Sequence, residues 1–308
     1  MEVWIPNQKN RLKKVLLGSV PTPTVLKKVL KKSLPKAIEK VLVETQEDLD
    51  EIKKKYQSLD VEVFSYDVEP TILVQDSINV RNGFVVVDDH MFITEELDTL
   101  APLYEAVEHK TFCDHRGAYA PDIYIHDDYA ILDQLDHGVY RYWRDKLSKK
   151  RKIITAFNEG HSDSIYCNVA DKIWLTNGDV LPFKKHWPDI PVMELSVTNG
   201  GEINDWSDYE ELQKTHGGWF INNHELSKED INFTEEHLKI WTGYCEETLF
   251  DINMSIIDKN NVMAISQNSQ VYDRLESFGV KVHKVPFRHR FFWDGGLHCI
   301  TNDLAREK

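Results

Sequence analysis

Apolar residues fall along this chain in short runs, many of them closed by acidic residues, and such runs predict β-strands. Residues 12–17, Leu-Lys-Lys-Val-Leu-Leu, read as a first strand ending at Gly18. Residues 24–32 break their apolar positions with lysine pairs, and no acid lies between Glu2 and Glu39. That stretch predicts a short helix with a solvated basic face, closed by Pro35, with an anionic partner as the alternative. Residues 38–43 predict a strand, 45–59 an exposed helix with Glu, Asp and Lys at helical spacing, and 61–65 a further strand.

One pattern then recurs. A polar residue leads a strand, and an acidic turn or a short link joins it to a second strand. Asn82 leads residues 83–87, which end at the turn Asp88-Asp89-His90; Asp122 leads 123–132, with Asp127-Asp128 at the turn. His161 and Asp163 lead 165–175, and Asp251 and Asn253 lead 254–265. A fifth copy is Gly295-Gly296-Leu297-His298-Cys299, with residues 12–17 as its closing partner. Helical stretches such as 140–147 and 270–278 separate the copies. Repeats of roughly forty to ninety residues mark stacked or radial units, and strand pairs alternating with helices make the class α/β. In a radial array the leading residue of every unit faces one axis. Asn82, Asp122, His161 with Asp163, Asp251 with Asn253, and Cys299 would then converge on a single pocket. Segment 198–246, rich in Gly, Asn, Asp and Trp, reads as an insertion in the fourth unit, either a lid over that pocket or a surface excursion.

Composition narrows the function. With 308 residues, 41% of them hydrophobic, the chain can bury a substantial core. A net charge of -14 argues against nucleic-acid binding through phosphate neutralisation, while it would weakly attract a cationic substrate. Cys113, Cys167, Cys245 and Cys299 are scattered without a C-x-x-C pair, which points to a reducing compartment. No apolar leader opens the chain, and no run reaches the ~18 apolar residues of a membrane span. These features predict a soluble, cytoplasmic protein. His283, His289 and His298 beside Cys299 are too irregularly spaced to read as a metal set.

The chemistry centres on Cys299. Two adjacent glycines allow positive φ or a close approach, and they place the thiol at the end of a tight turn. A thiol, an imidazole and several carboxylates in one cavity suit a guanidinium. It is planar and cationic, and carboxylates hold its five donors in a fixed fork. Its carbon then faces a thiolate, and a histidine can protonate the departing amine.

At these residues the sequence resembles the pentein superfamily of guanidino-modifying enzymes, and within it the glycine amidinotransferase family. The segment from Gly295 through Cys299 to Arg306 looks like that family's nucleophile motif, and His161-Ser162-Asp163-Ser164 like its His-x-Asp motif. Residues 121–132 are similar to the superfamily's Gly-Gly-Asp hairpin segment, with Ala120-Pro121 in place of the glycines. Residues 12–18 resemble its opening strand.

The resemblance implies one catalytic domain over residues 1–308, a five-bladed α/β propeller of pseudo-fivefold ββαβ units around a central pocket. It implies a cysteine-dependent amidinotransferase that needs no metal or organic cofactor. Cys299 would be the nucleophile and His161 the general acid and base. Asp122 and Asp163 would hold the guanidinium, with Asn82 and Asp251 also contacting substrate. The partners would be a small guanidino donor and an amine acceptor, with homo-oligomerisation left open. With water as acceptor the same apparatus is a deiminase-like guanidine hydrolase, and a non-catalytic binding pentein is the third reading. Three departures bear on the donor. Asn82 follows Arg81 where the family has Asp, Asp251 stands where it has Ser, and Asn177-Gly178-Asp179-Val180 lacks its arginine for the substrate α-carboxylate. The donor would then differ from arginine at its far end, or bind it through other residues such as Arg288 or Arg290 near the nucleophile.

Overall fold

The computed structural model describes residues 1–66, 77–113, 120–133, 137–156, 162–178, 181–195, 227–237, 247–265, 268–293 and 295–308. Fifteen strands occur among them: β1 (Leu12–Leu17), β2 (Glu62–Phe64), β3 (Phe84–Val87), β4 (His90–Ile93), β5 (Lys110–Phe112), β6 (Ile123–His126), β7 (Tyr129–Asp133), β8 (Lys152–Ala156), β9 (Tyr166–Val169), β10 (Ile173–Thr176), β11 (Val192–Glu194), β12 (Ser255–Asp258), β13 (Asn261–Ala264), β14 (Lys281–Lys284) and β15 (Thr301–Arg306). They form five three-stranded sheets of one design. In each, an antiparallel hairpin is followed by a helical connection and a third strand parallel to the second. The connections are Ala101–Ala106, His137–Leu147, Leu181–His186 and Ser269–Ser277. Tight hairpin turns place Asp88 and Asp127 at φ 54° and 48°, a left-handed conformation that Asp tolerates better than most side chains.

The fifth sheet joins the two ends of the chain. β15 pairs antiparallel with β1, and β1 pairs parallel with β2, so this unit begins at the C-terminus and finishes at the N-terminus. Its connection holds two helices, Pro23–Leu30 and Lys36–Ser58. The first starts where Thr22 Oγ1 accepts from the Val25 N–H, with Pro23 in the first turn.

The second helix corrects the strand expected at 38–43. Ala37, Ile38, Val41, Leu42, Thr45, Leu49, Ile52 and Tyr56 are buried in 3.6-residue rhythm while Lys40 and Val43 are exposed. Read alone, the run from Ile38 to Val43 has enough β-branched residues to pass for a strand. The longer apolar stripe, which packs on β1, decides for helix.

The first strands of the sheets are buried on both faces, and side chains of neighbouring sheets pack together there. Val85 and Val87 of β3 cluster with Ile123 and Ile125 of β6, and Tyr124 of β6 with Tyr166 and Trp174 of the next sheet. Val169 and Leu175 cluster with Ile256 and Val262, Ile257 and Met263 with Leu12 and Val15, and Leu16 and Leu304 with Phe84 and Val86. These five contacts run from sheet to sheet and return to the first. Among the described residues no helix is long and apolar enough to cross a membrane. Of the segment expected as an insertion, 198–246, residues 198–226 and 238–246 lie outside the described ones, and the helix Lys228–His237 lies within.

Candidate active site

The first strand of each unit is led by a short helical turn. Val80–Asn82 leads β3, Ala120–Asp122 leads β6, Ser162–Ile165 leads β9 and Glu247–Ile252 stands before β12. The first of these turns packs on the second, the second on the third and the third on the fourth. The turn 297–300 leads β15 and completes the set. Asn82, Asp122, Asp163 and Asp251 are therefore carried by turns that meet in sequence.

Cys299 is partly exposed, in a turn fixed on both sides. Leu297 and Ile300 are fully buried, Thr301 Oγ1 donates to the Leu297 carbonyl at 2.7 Å, and the Trp293 indole N–H donates to Thr45 at 2.8 Å. The Cys299 carbonyl accepts from the Arg81 N–H at 3.1 Å, which ties the fifth unit to the first. Asn253, between its helix and β12, holds the cysteine from the fourth unit. Its Oδ1 accepts from the Cys299 N–H at 3.0 Å, and its Nδ2 donates to Sγ at 3.2 Å.

Gly295 and Gly296 serve close approach, since neither has positive φ. A Cβ on Gly295 would stand 2.5 Å from Asn79 Oδ1, and one on Gly296 would stand 2.5 Å from Asn253 Oδ1. Two asparagines occupy the space the glycines leave.

Beside the thiol lies a buried charged network. Asp163 Oδ2 accepts from Arg81 Nε at 3.3 Å and meets His298 Nδ1 at 3.0 Å. Arg81 also donates to the Ile123 carbonyl and to Asn302 Oδ1, at 3.3 and 3.4 Å. Asn302 Nδ2 donates to the Phe84 carbonyl at 2.7 Å. Arg81 and Asp163 are almost fully buried, so each charge relies on the other.

The expected site residues are placed as follows. Asn82 and Asp122 are half-buried at the ends of turns that pack together, and the Asn82 carbonyl accepts from Thr94 Oγ1 at 2.7 Å. Asp163 is buried in the network with Arg81 and His298. Asp251 is buried, and its Oδ2 accepts from Asn268 Nδ2 at 2.8 Å. His161 lies outside the described residues, directly before buried Ser162. The proposed carboxylate-binding Arg288 is committed elsewhere, to Asp48 at 2.9 Å and Glu47 at 2.8 Å on the long helix. Arg290 lies over the Phe250 ring at 5.5 Å.

The remaining histidines divide among separate partners, His283 with Asn261 and His289 with Glu44. Among the described residues, His126, Asp127 and Asp171 gather as metal ligands would, but the Lys9 ammonium reaches Asp127 at 2.7 Å and Asp171 at 2.6 Å and fills the seat of a cation. Burial pushes the Cys167 thiol up to about 12 and raises Cys113 as well, which disfavours the thiolate at both.

The sequence alone assigned Asn79 and Asn302 no role, and it marked His298 as part of the nucleophile motif without a partner for its ring. The adjacent glycines did signal a close approach, without saying what approaches.

No model of a known protein family matches the chain. The mitochondrial glycine amidinotransferase of Danio rerio is 36% identical over 55 residues, a match spanning 18% of this chain and 13% of that protein. Over whole structures, the chain is similar to SxtG, an amidinotransferase of Microseira wollei from saxitoxin biosynthesis. That likeness has a TM-score of 0.71 at 14% identity and covers 99% of this chain and 98% of the other. It is also similar to dimethylarginine dimethylaminohydrolase of Pseudomonas aeruginosa, with a TM-score of 0.61 at 12% identity over 95% of this chain and 99% of that one. At these identities the likeness shows a shared fold.

Proposed function

We propose that this chain, which has the pentein fold, is a cysteine-dependent amidinotransferase whose five units stand as blades around a central pocket. The observation that carries the reading is Cys299. It is the partly exposed one among the described cysteines, held by the fourth unit and tied to the first, beside the turns that bear the candidate carboxylates.

In the proposed reaction the Cys299 thiolate attacks the guanidinium carbon and an S–C bond forms. The C–N bond to the leaving amine breaks, its electron pair stays on nitrogen, and His161 supplies the proton. Asp122 and Asp163 hold the amidino nitrogens, Asp163 from a buried position where it also balances Arg81 and His298. Asn82 and Asp251 complete the contacts. An incoming amine then attacks the amidino-cysteine and gives its proton to His161, and the C–S electron pair returns to sulfur. The partners are small molecules, and a reducing, cytoplasmic setting suits a mechanism that needs a free thiol.

The same apparatus with water as acceptor is a guanidine hydrolase, and the likeness to the dimethylaminohydrolase favours keeping it. The amidinotransferase reading leads because SxtG superposes more closely over more of this chain. The test is intact-mass spectrometry after incubation with arginine, agmatine or guanidinoacetate and an acid quench. One added amidino group is expected, absent from Cys299→Ser. Its transfer to an added amine identifies a transferase, and its loss to water alone a hydrolase. Turnover of these donors by Cys299→Ser at the wild-type rate would overturn the reading.

A further inference from the structure

The Asn253 carboxamide spans the Cys299 peptide N–H and thiol, and we propose that it is the positioning residue that orients this sulfur and favours its thiolate. The inference rests on the reading of Cys299 as nucleophile.

The side chain is fully buried, and three contacts bind this residue to the nucleophile turn. Its carbonyl accepts from the His298 N–H at 3.3 Å, its Oδ1 from the Cys299 N–H at 3.0 Å, and its Nδ2 points to Sγ at 3.2 Å. The two ends of a carboxamide are easily exchanged in a structure, but here the chemistry decides. A peptide N–H can only donate, so the atom facing it must be the oxygen, and the NH2 must then face the sulfur. A donor directed at sulfur stabilises the charged form of the thiol over the neutral one. Gly296 fits the same account: a Cβ there would lie 2.5–2.8 Å from Asn253 Oδ1, Cβ and Cγ and push the amide off the cysteine. Asn253 carries no ionisable proton, so it acts through Cys299 and not on substrate protons.

Charged or titratable groups on the surrounding elements are Asp163 with Arg81 and His298 both on its carboxylate, Asp251 two residues before Asn253, Arg290 over Phe250, and Asp303 with Arg306 on β15. His161 precedes the turn that carries Asp163. All are common to the wild type and the variants, so a change at residue 253 isolates the amide.

The experiment is the pH dependence of Cys299 alkylation by iodoacetamide, followed by peptide mass mapping, with thermal unfolding as the check on folding. Asn253→Asp keeps the oxygen that accepts from the Cys299 N–H and turns an anionic oxygen toward the sulfur. Its midpoint should rise by about one to two pH units, the size of a charge-assisted hydrogen bond expressed as a pKa. Asn253→Ala removes the donor without adding charge and should rise by roughly one unit. A folded variant whose midpoint stays within about a third of a unit of wild type overturns the proposal. If neither variant folds, the wild-type midpoint decides. It must lie below that of the same thiol in urea, and an equal or higher value overturns the proposal. Alkylation involves no guanidino compound, so a shifted midpoint without turnover would remove the functional reading alone. Turnover with unmoved midpoints would remove this inference alone.

Discussion

Replacing Arg81 with methionine leaves the buried Asp163 carboxylate without its cation. The two side chains are 6% and 1% exposed, and Nε stands 3.3 Å from Oδ2. Methionine fills much of the hydrocarbon volume but donates nothing, so the Ile123 carbonyl and Asn302 Oδ1 lose donors as well. Removing one partner of a buried pair costs about 3–5 kcal/mol, and the two further acceptors place this case toward the top of that range. At about 2–3 °C per kcal/mol for a chain of this size, Tm should fall by roughly 8–15 °C. Asp163→Leu should be similarly costly, because it leaves a buried guanidinium unbalanced. The double variant removes both charges and should cost at least about 2 kcal/mol less than the two single losses added together. The assay is urea unfolding of the four proteins, followed by circular dichroism. Additivity within about 0.5 kcal/mol would mean that the two side chains do not meet, and the network beside the Cys299 turn would have to be redrawn.

Other expectations follow from single residues. In the native protein iodoacetamide should modify Cys299 well ahead of Cys113 and Cys167, whose thiols burial keeps protonated near neutrality, and equal labelling of the three would contradict an accessible nucleophile. Asn82→Asp restores a carboxylate worth roughly ten- to a hundredfold in guanidinium affinity, so kcat/KM for arginine should rise; a neutral or harmful effect would show the replacement is not what limits arginine use. Asp171 is lowered from 3.8 to about 2, first by the His126 imidazole 3.1 Å away and then, against burial, by Lys9. A depressed folded pKa stabilises above the unfolded value, so this contribution is present above about pH 4 and is lost as pH falls toward 2. Asp171→Asn should flatten that part of the urea-unfolding free energy between about pH 5 and 2, and an unchanged pH profile would refute the assignment.

Much of the architecture was legible in local pattern. Four hairpins were visible from 82 onward as apolar runs joined by acidic turns or short links, and the pairing of residues 12–17 with the segment after Cys299 followed from completing a fifth copy. These features depend on side-chain alternation and turn chemistry within a few residues, which a sequence carries directly. Residues 38–43 failed for the same reason: within six residues, strand and helix rhythms overlap, and only the stripe continuing to Tyr56 separates them.

The turn bearing Cys299 divides in the same way. Gly295, Gly296 and Cys299 announce a tight turn bearing a thiol, whatever surrounds it. What surrounds that turn was settled only when five units packed: Asn253 reaches Cys299 across 46 residues, Arg81 reaches Asp163 across 82, and Arg81 reaches Asn302 across 221. An asparagine looks the same in a sequence whether it faces water or a sulfur. Its role comes from which backbone N–H it meets once buried, and that is a property of how the sheets pack, not of any one segment.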